Sequence, residues 1–356
     1  MAEEKRLMKG NDAIGEAAIR AGCTAYFGYP ITPQNELTAY MARHMIDHKR
    51  TFIQAESEVS AINMVFGAAA AGARAMTSSS SPGISLMQEG MSYLAGAELP
   101  AVVINVMRGG PGLGNISPAQ GDYFQATRGG GHGDYKTIVL GPASVQEMAD
   151  CMPLAFDLAD QYRITVEILT DGLLGQMMEP LTLERKPPRK LPAKDWALTG
   201  HGSGKQNIVR SLWLGEGALE RHNQKLQAKY REIQENEVLC EEYRLDGADI
   251  VVVAYGIAAR IARAAVDQGR EEGIPIGLIR PITLWPFPSR QISQAAETFP
   301  VLLTVEMSSG QMLEDVKLAV AGKAPVLFYG RMGGGIPTAE ELLGQIRELT
   351  LSKKQV

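Results

Sequence analysis

Paired cysteines, long apolar runs and an excess of positive charge are all missing from this 356-residue chain, and each absence removes a class of function. Only three cysteines occur, Cys23, Cys151 and Cys240, too far apart for the paired motifs that hold zinc or iron–sulfur clusters; three reduced thiols are expected. No run approaches the ~18 apolar residues of a membrane span, and the N-terminal MAEEKRLMKGND is charged rather than apolar. A net charge of −5 gives no bulk attraction to nucleic acid or to an anionic membrane. The expectation is a soluble, cytoplasmic protein with neither nucleic-acid nor membrane partners. Its 45% hydrophobic and 21% charged residues suit a well-packed globular chain, and its length favours two domains.

Familiar site motifs are missing too. After AVVINVM the glycines Gly110, Gly112 and Gly114 fall at every second position, and after IVVVAYG the second and third glycines are lacking, so neither junction makes the dinucleotide G-x-G-x-x-G. In GHGSGKQN, Gly200 stands one residue too close to Gly204, and Gln206 replaces the Ser or Thr of a phosphate loop. SSSSPG, from Ser78 to Gly83, lacks the G-x-S-x-G elbow and reads as a turn and helix cap.

What is present is a regular alternation. Helical patterns at Asp12 to Ala21, Pro33 to His44, Glu58 to Ala71 and Ile84 to Ala95 alternate with strand patterns at Thr24 to Gly28, Thr51 to Ala55, Arg74 to Ser79 and Ala101 to Met107. A further strand, a long helix and a strand ending at Asp171 follow. Such alternation implies a parallel sheet covered on both faces. LERKPPRKLPAKDWALTG, from Leu183 to Gly200, has no periodicity and reads as a connection, and Glu216 to Arg244 reads as a charged, partly solvated amphipathic helix. From Ala248 the alternation resumes. The fold class is therefore α/β with two parallel-sheet domains, spanning 1–185 and 246–356 on either side of a linker and charged helix at 186–245.

Three positions invite a chemical reading. In QAESEVSAINMVFGAAAAGARAMT, Glu58 opens a helix and Gly67 follows nine residues later in a run so poor in bulk that its backbone is expected to pack closely on a neighbour. By itself Glu58 is a carboxylate favoured by the helix dipole. Arg108 ends the strand AVVINVM at the carboxyl edge where open α/β sheets place ligands, although an exposed strand-end arginine has the same look. In FGYPITPQNE, Thr32 reads as an N-cap with Pro33 at the first helical position. His132, in GGGHGDY, reads as a structural loop histidine more readily than as a site residue.

The glutamate-to-glycine spacing resembles the pyrimidine-binding domain of thiamine diphosphate enzymes. Together with GYPITP, SPGISLMQEGMSYLAGAELPAVVINVMRGGPG, GGGHGDY, VVVAYGIAARIARAAV, GIPIGLIRPITLWPFP and YGRMGGGIPT, it is similar to the alpha subunit of the 2-oxoacid:ferredoxin oxidoreductases over nearly the whole chain, with the 2-oxoisovalerate branch the nearest. The resemblance implies a thiamine diphosphate-binding domain of pyrimidine type followed by a transketolase C-terminal-like domain. It implies that Glu58, rather than neighbouring Glu56, exchanges a proton with N1′ of the aminopyrimidine, and that Arg108 and Thr32 bind the 2-oxoacid carboxylate.

The family's diphosphate site needs magnesium held by a GDG motif, which this chain lacks, as it lacks the cysteines of the clusters. The resemblance therefore implies partners. A beta subunit would bring the diphosphate and Mg2+, small gamma and ferredoxin-like delta subunits would carry iron–sulfur clusters, and CoA and ferredoxin would complete the oxidative decarboxylation of a 2-oxoacid to acyl-CoA and CO2. The alternatives are a 2-oxoglutarate enzyme, a transketolase-like enzyme and a non-catalytic thiamine-fold module.

Overall fold

The apolar runs of the first half become strands, and the stretches between them become the helices that cover those strands. In a computed structural model describing residues 5–183, 189–200 and 206–353, the order is β1 (Arg6–Lys9), α1 (Gly10–Arg20), β2 (Ala25–Gly28), α2 (Asn35–Asp47), β3 (Thr51–Gln54), α3 (Glu58–Ala70), β4 (Ala75–Ser79), α4 (Ser81–Gly96), β5 (Ala101–Met107), α5 (Tyr123–Arg128), β6 (Ile138–Leu140), α6 (Val145–Tyr162), β7 (Thr165–Asp171), α7 (Gly172–Gln176) and β8 (Met178–Leu181). Every residue of β5 and β7 is buried, as strands sandwiched between helices must be.

The second half supplies α8 (Ala218–Asn236), β9 (Cys240–Tyr243), β10 (Ile250–Ala254), α9 (Gly256–Glu271), β11 (Ile276–Pro281), β12 (Thr283–Trp285), α10 (Ser289–Thr298), β13 (Val301–Glu306), α11 (Gln311–Val320), β14 (Val326–Gly330) and α12 (Ala339–Lys353). Its sheet has the order β14-β13-β10-β11-β9, parallel except for β9. The first sheet has the order β12-β6-β7-β5-β4-β2-β3, so the second half donates its edge strand β12, which pairs antiparallel with β6. β1 and β8 form a separate antiparallel pair. Among the described residues no helix is long and apolar enough to cross a membrane.

The chain runs from β2 out to the edge strand β3 and then back across β2 to β4, β5 and beyond. α2 packs Leu37, Met41 and Met45 with α1 on one face, while α3 and α4 pack Ala61, Ile62, Val65, Ile84 and Met87 on the other. The reversal falls between β2 and β4, and the carboxyl ends of the strands at such a switch point are the place where open α/β sheets bind ligands.

Three expectations need correction. The helix expected from Pro33 starts at Asn35; its N-cap is Gln34, which makes no side-chain cap bond, and Thr32 and Pro33 lie in the turn before it. The cause is tertiary: the Pro33 carbonyl accepts from Asn11 Nδ2 at 2.8 Å and Gln176 Nε2 at 3.0 Å, so helical bonding begins with the Gln34 carbonyl. Gly67 does not mediate close packing, for a Cβ there would meet nothing within 4 Å; the close approach of α3 and α4 falls to Gly90, where a Cβ would lie 2.5 Å from Ile62 Cγ2. The charged helix stops at Asn236, and Cys240–Tyr243 becomes a strand because β11 offers it a free edge. α8 buries Leu226, Tyr230 and Ile233 against the first unit.

Candidate functional site

Six loops leave the carboxyl edge of the first sheet, and three of them carry the residues singled out in the sequence. Glu58 is placed by Ser57, the N-cap of α3, whose side chain accepts from Ser60 N at 3.2 Å. Its carboxylate is buried at 5% exposure, and no hydrogen bond or ion pair joins it to another described residue. Glu56 is exposed and accepts from Ser60 Oγ at 3.0 Å, pointing away. What makes room for Glu58 is the absence of a side chain at Gly83. A Cβ there would sit 2.5 Å from Glu58 Oε1 and 2.0 Å from Ser79 Oγ. The carboxylate thus rests against the first turn of α4 while opening α3, within the positive ends of two helix dipoles. Ser79 Oγ and Ser80 Oγ, both buried, have no partner among the described residues.

Arg108 lies at the end of β5, and the backbone there is clipped to α4: its N–H donates to Ser81 Oγ at 3.0 Å, and that hydroxyl donates to the Arg108 carbonyl at 3.3 Å. The guanidinium reaches across the edge. Nη1 donates to the Thr32 carbonyl at 3.0 Å and Nη2 to the Leu113 carbonyl at 3.1 Å, leaving Nε buried without a partner among the described residues. Thr32 and Arg108 are therefore neighbours, and the Thr32 hydroxyl accepts from Asn35 Nδ2 at 3.2 Å. The 109–117 loop folds back on itself through Gly109 N to Ser117 O at 2.9 Å and Asn115 N to Gly109 O at 3.0 Å. Gly114 is obligatory in that loop: its φ is +55°, and a Cβ would fall 1.7 Å from the Gly109 carbonyl oxygen. Leu113, whose carbonyl accepts from Arg108, and Ile116 of the same loop are 81% and 65% exposed.

His132 does not join this group. It is exposed, 3.5 Å from Ser92 Oγ and edge-on to Tyr93. Those residues lie nine and ten positions beyond Gly83 on α4, roughly 14 Å along its axis.

Several residues that build the site gave no motif signal. Gln34, fully buried, donates to the Tyr29 carbonyl at 3.1 Å and accepts from Ser78 Oγ at 2.7 Å and Thr38 Oγ1 at 3.0 Å. It ties the turn carrying Thr32 to β4. Asp171, at the end of β7, caps α7 by accepting from Leu173 N and Leu174 N; burial pushes its carboxyl up to about 6 against those two bonds. The second domain grips the loop after Arg108. Gln120 Nε2 donates to the Tyr255 carbonyl at 2.9 Å, Gln120 Oε1 accepts from Met307 N at 2.8 Å, and Asn115 Nδ2 donates to the Gly333 carbonyl at 2.9 Å. Only the buried, amide-rich composition of these loops could have pointed to them.

The chain has counterparts among known proteins. Residues 16–243 match the family model described as pyruvate flavodoxin/ferredoxin oxidoreductase, thiamine diphosphate-binding, and residues 248–342 match pyruvate:ferredoxin oxidoreductase core domain II. The chain is 53% identical, over 97% of its length and 97% of the relative's, to ketoisovalerate oxidoreductase subunit VorB of Methanothermobacter thermautotrophicus. It is 37% identical to 2-oxoglutarate synthase subunit KorA of Methanothermobacter marburgensis, over 96% of its length and 98% of the relative's. The solved 2-oxoglutarate:ferredoxin oxidoreductase from Magnetococcus marinus, with 2-oxoglutarate, coenzyme A and succinyl-CoA bound, superposes with a TM-score of 0.86 at 27% identity. That match covers 97% of this chain and 65% of the other. A split-gene transketolase, at a TM-score of 0.61 and 13% identity, shares the fold. This chain belongs to the 2-oxoacid:ferredoxin oxidoreductase family and is a subunit of a thiamine diphosphate-dependent oxidoreductase.

Proposed function

We propose that this chain supplies the pyrimidine-binding half of the active site in an enzyme that oxidatively decarboxylates 2-oxoisovalerate with CoA, passing electrons to ferredoxin. The observation that carries the reading is Glu58, a buried carboxylate without a partner among the described residues at the switch point of the sheet, beside the unpaired hydroxyl of Ser79. Orphaned polar atoms at a sheet edge fit the polar edge of an aminopyrimidine, which would satisfy them. When bound, thiamine diphosphate supplies the carbanion chemistry that decarboxylation of a 2-oxoacid requires.

The chain's own residues do the rest. Glu58 holds and releases a proton at N1′ of the aminopyrimidine, and its burial keeps that exchange from being shared with bulk water. Arg108 pairs with the substrate carboxylate: its free Nε is one donor, and a second comes from Nη2 if the Leu113 carbonyl gives way. Thr32, held 3.0 Å from the guanidinium through its carbonyl, lies beside the same carboxylate. Leu113 and Ile116 offer apolar surface to a branched aliphatic substrate. That agrees with the higher identity to the ketoisovalerate subunit than to the 2-oxoglutarate subunit.

A beta subunit bringing Mg2+ and the diphosphate site, with gamma and delta subunits bearing iron–sulfur clusters, completes the enzyme in this reading. Exposed apolar side chains on the segments that carry or adjoin the candidate residues, among them Ile53, Val59, Leu113 and Ile116, support a partner docking on this face. The test is to co-express the chain with candidate partner subunits and follow 2-oxoacid-dependent viologen reduction. 2-Oxoisovalerate should give a higher kcat/KM than pyruvate or 2-oxoglutarate, and Glu58→Gln should abolish turnover in an assembled complex. Near-normal activity of that variant would sink the role given to Glu58, and preference for 2-oxoglutarate would reassign the substrate.

A further inference from the structure

One of the two carbonyls that hold the Arg108 guanidinium belongs to Thr32, in the turn between β2 and α2. What fixes that turn is a clamp built from three helices. Asn11, near the start of α1, and Gln176, the last residue of α7, converge on it from opposite ends of the first domain. Each side-chain amide nitrogen donates twice: to the Pro33 carbonyl, at 2.8 and 3.0 Å, and to Glu36 Oε2, at 3.2 and 2.8 Å. An Asn or Gln amide nitrogen carries two N–H groups, so all four bonds form at once. Two donors and two acceptors close a square, with Pro33 of the turn and Glu36 of the first turn of α2 at opposite corners.

The surroundings preserve this square. Burial works to raise the Glu36 carboxyl, but the bonds from Gln176, its own backbone N–H, Asn11 and Lys9 outweigh it and hold the group below its ordinary range. Glu36 is therefore an acceptor at neutral pH. A Cβ at Gly175 would lie 2.7 Å from Asn11 Oδ1, and one at Gly10 would lie 2.1 Å from the Leu174 carbonyl oxygen, so α1 and α7 come this close only because both positions are glycine. α7 starts directly after β7, whose last residue, Asp171, is in register with Met107, the residue before Arg108. Gly172 lies against the Pro33 ring, where a Cβ would be 3.0 Å from Pro33 Cγ. α7 thus runs from the strand end beside Arg108 to the carbonyl next to the one that Arg108 grips.

We propose that Gln176 and Asn11, bridged by Glu36, are positioning residues for the 2-oxoacid carboxylate. They hold the Pro33 carbonyl, and through it the Thr32 carbonyl, so that Arg108 Nη1 is occupied and Nε is left for substrate. The proposal rests on the reading of Arg108 as the residue that binds that carboxylate. A guanidinium has five N–H donors, and the carbonyls it meets decide which of them stay free. With the Thr32 carbonyl displaced, the group would hang on the Leu113 carbonyl alone, and the donor aimed at the carboxylate would lose its direction. The three residues act through Arg108 and not on the substrate itself.

The test measures KM and kcat for the 2-oxoacid in the assembled complex, with KM for CoA as the control, in Gln176→Leu, Arg108→Ala and the two combined. Gln176→Leu removes both donated bonds at similar volume and should raise KM for the 2-oxoacid about tenfold, with kcat and KM for CoA close to wild type. Combined with Arg108→Ala it should add nothing to the KM of that single variant, because no guanidinium is left to position. Should Gln176→Leu prevent assembly, the exchange of Gln176→Glu with Glu36→Gln carries the test: it keeps the side-chain pair but takes one donor from the Pro33 carbonyl. The exchange should show the same rise in KM and the same dependence on Arg108. A wild-type KM in either assembled variant would overturn the proposal. So would a rise that multiplies the one caused by Arg108→Ala, which would make the clamp a general support of the fold. If Arg108→Ala itself has the wild-type KM, the carboxylate reading fails and the positioning role with it.

Discussion

Glu167→Gln should stabilise the folded subunit, and by an amount that grows with pH. In the unfolded chain this carboxyl titrates at its ordinary value of 4.5, whereas in the fold burial holds it up to about 8. Because the folded value is the higher one, the folded state keeps a proton that the unfolded state has already lost. The contribution of that proton to stability is complete below pH 4.5 and disappears as the pH rises through about 8. Glutamine has the same shape and no proton to lose. At ~1.4 kcal/mol per pH unit, the variant should gain on the wild type by about 3 kcal/mol at pH 7, about 4 kcal/mol at pH 8 and about 5 kcal/mol at pH 9, relative to pH 4. Urea unfolding of both proteins, followed by circular dichroism at half-unit steps from pH 4 to 9, gives the difference directly, and other titrating groups cancel. A difference that stays constant with pH would refute the reasoning, since it would mean that Glu167 is solvated or paired in the folded protein as well as in the unfolded chain.

Two further outcomes follow from the site. Arg108→Ala should raise the KM for the 2-oxoacid and lower kcat, with kcat/KM falling by about 100-fold as a charge-assisted contact worth ~3 kcal/mol is lost; an unchanged profile would move the carboxylate site elsewhere. Gly83→Ala should inactivate the complex while the subunit still folds, because the new methyl would lie 2.5 Å from Glu58 Oε1 and 2.0 Å from Ser79 Oγ and must push the carboxylate from the crevice. Wild-type activity in that variant would show that the placement of Glu58 does not depend on the glycine.

The second domain is tied to the loop that follows Arg108. Gln120, fully buried, is bonded to both Tyr255 and Met307, and its own N–H donates to the Met307 carbonyl at 2.9 Å. Asn115 adds a tether to Gly333. A loop held at both ends keeps the Leu113 carbonyl, and with it the Arg108 guanidinium, in one place.

Strands, helices and their alternation were legible in the sequence because each is written in local periodicity: AVVINVM is apolar throughout, and a strand covered on both faces must be. Glu58 was legible because helix-opening carboxylates and their spacing to a glycine are local too. Thr32 was misread as a cap because the Pro33 carbonyl is claimed by Asn11 and Gln176, 22 residues before it and 143 after, which no local pattern records. Gly67 was given a packing role that belongs to Gly83 and Gly90, since which glycine meets a neighbour depends on how two helices cross. β9 and β12 were missed because short strands are formed by the edge that receives them. By itself the sequence determined the alternating architecture and the family resemblance, and it singled out Glu58, Arg108 and Thr32 as candidates. Only the tertiary structure decided that Glu58 stands unpaired against Gly83, that Thr32 meets Arg108, and that Glu167 lies unsatisfied beneath them. Burial and convergence are set by contacts between distant segments, and the free energy of a buried charge depends on those contacts rather than on its neighbours in the chain.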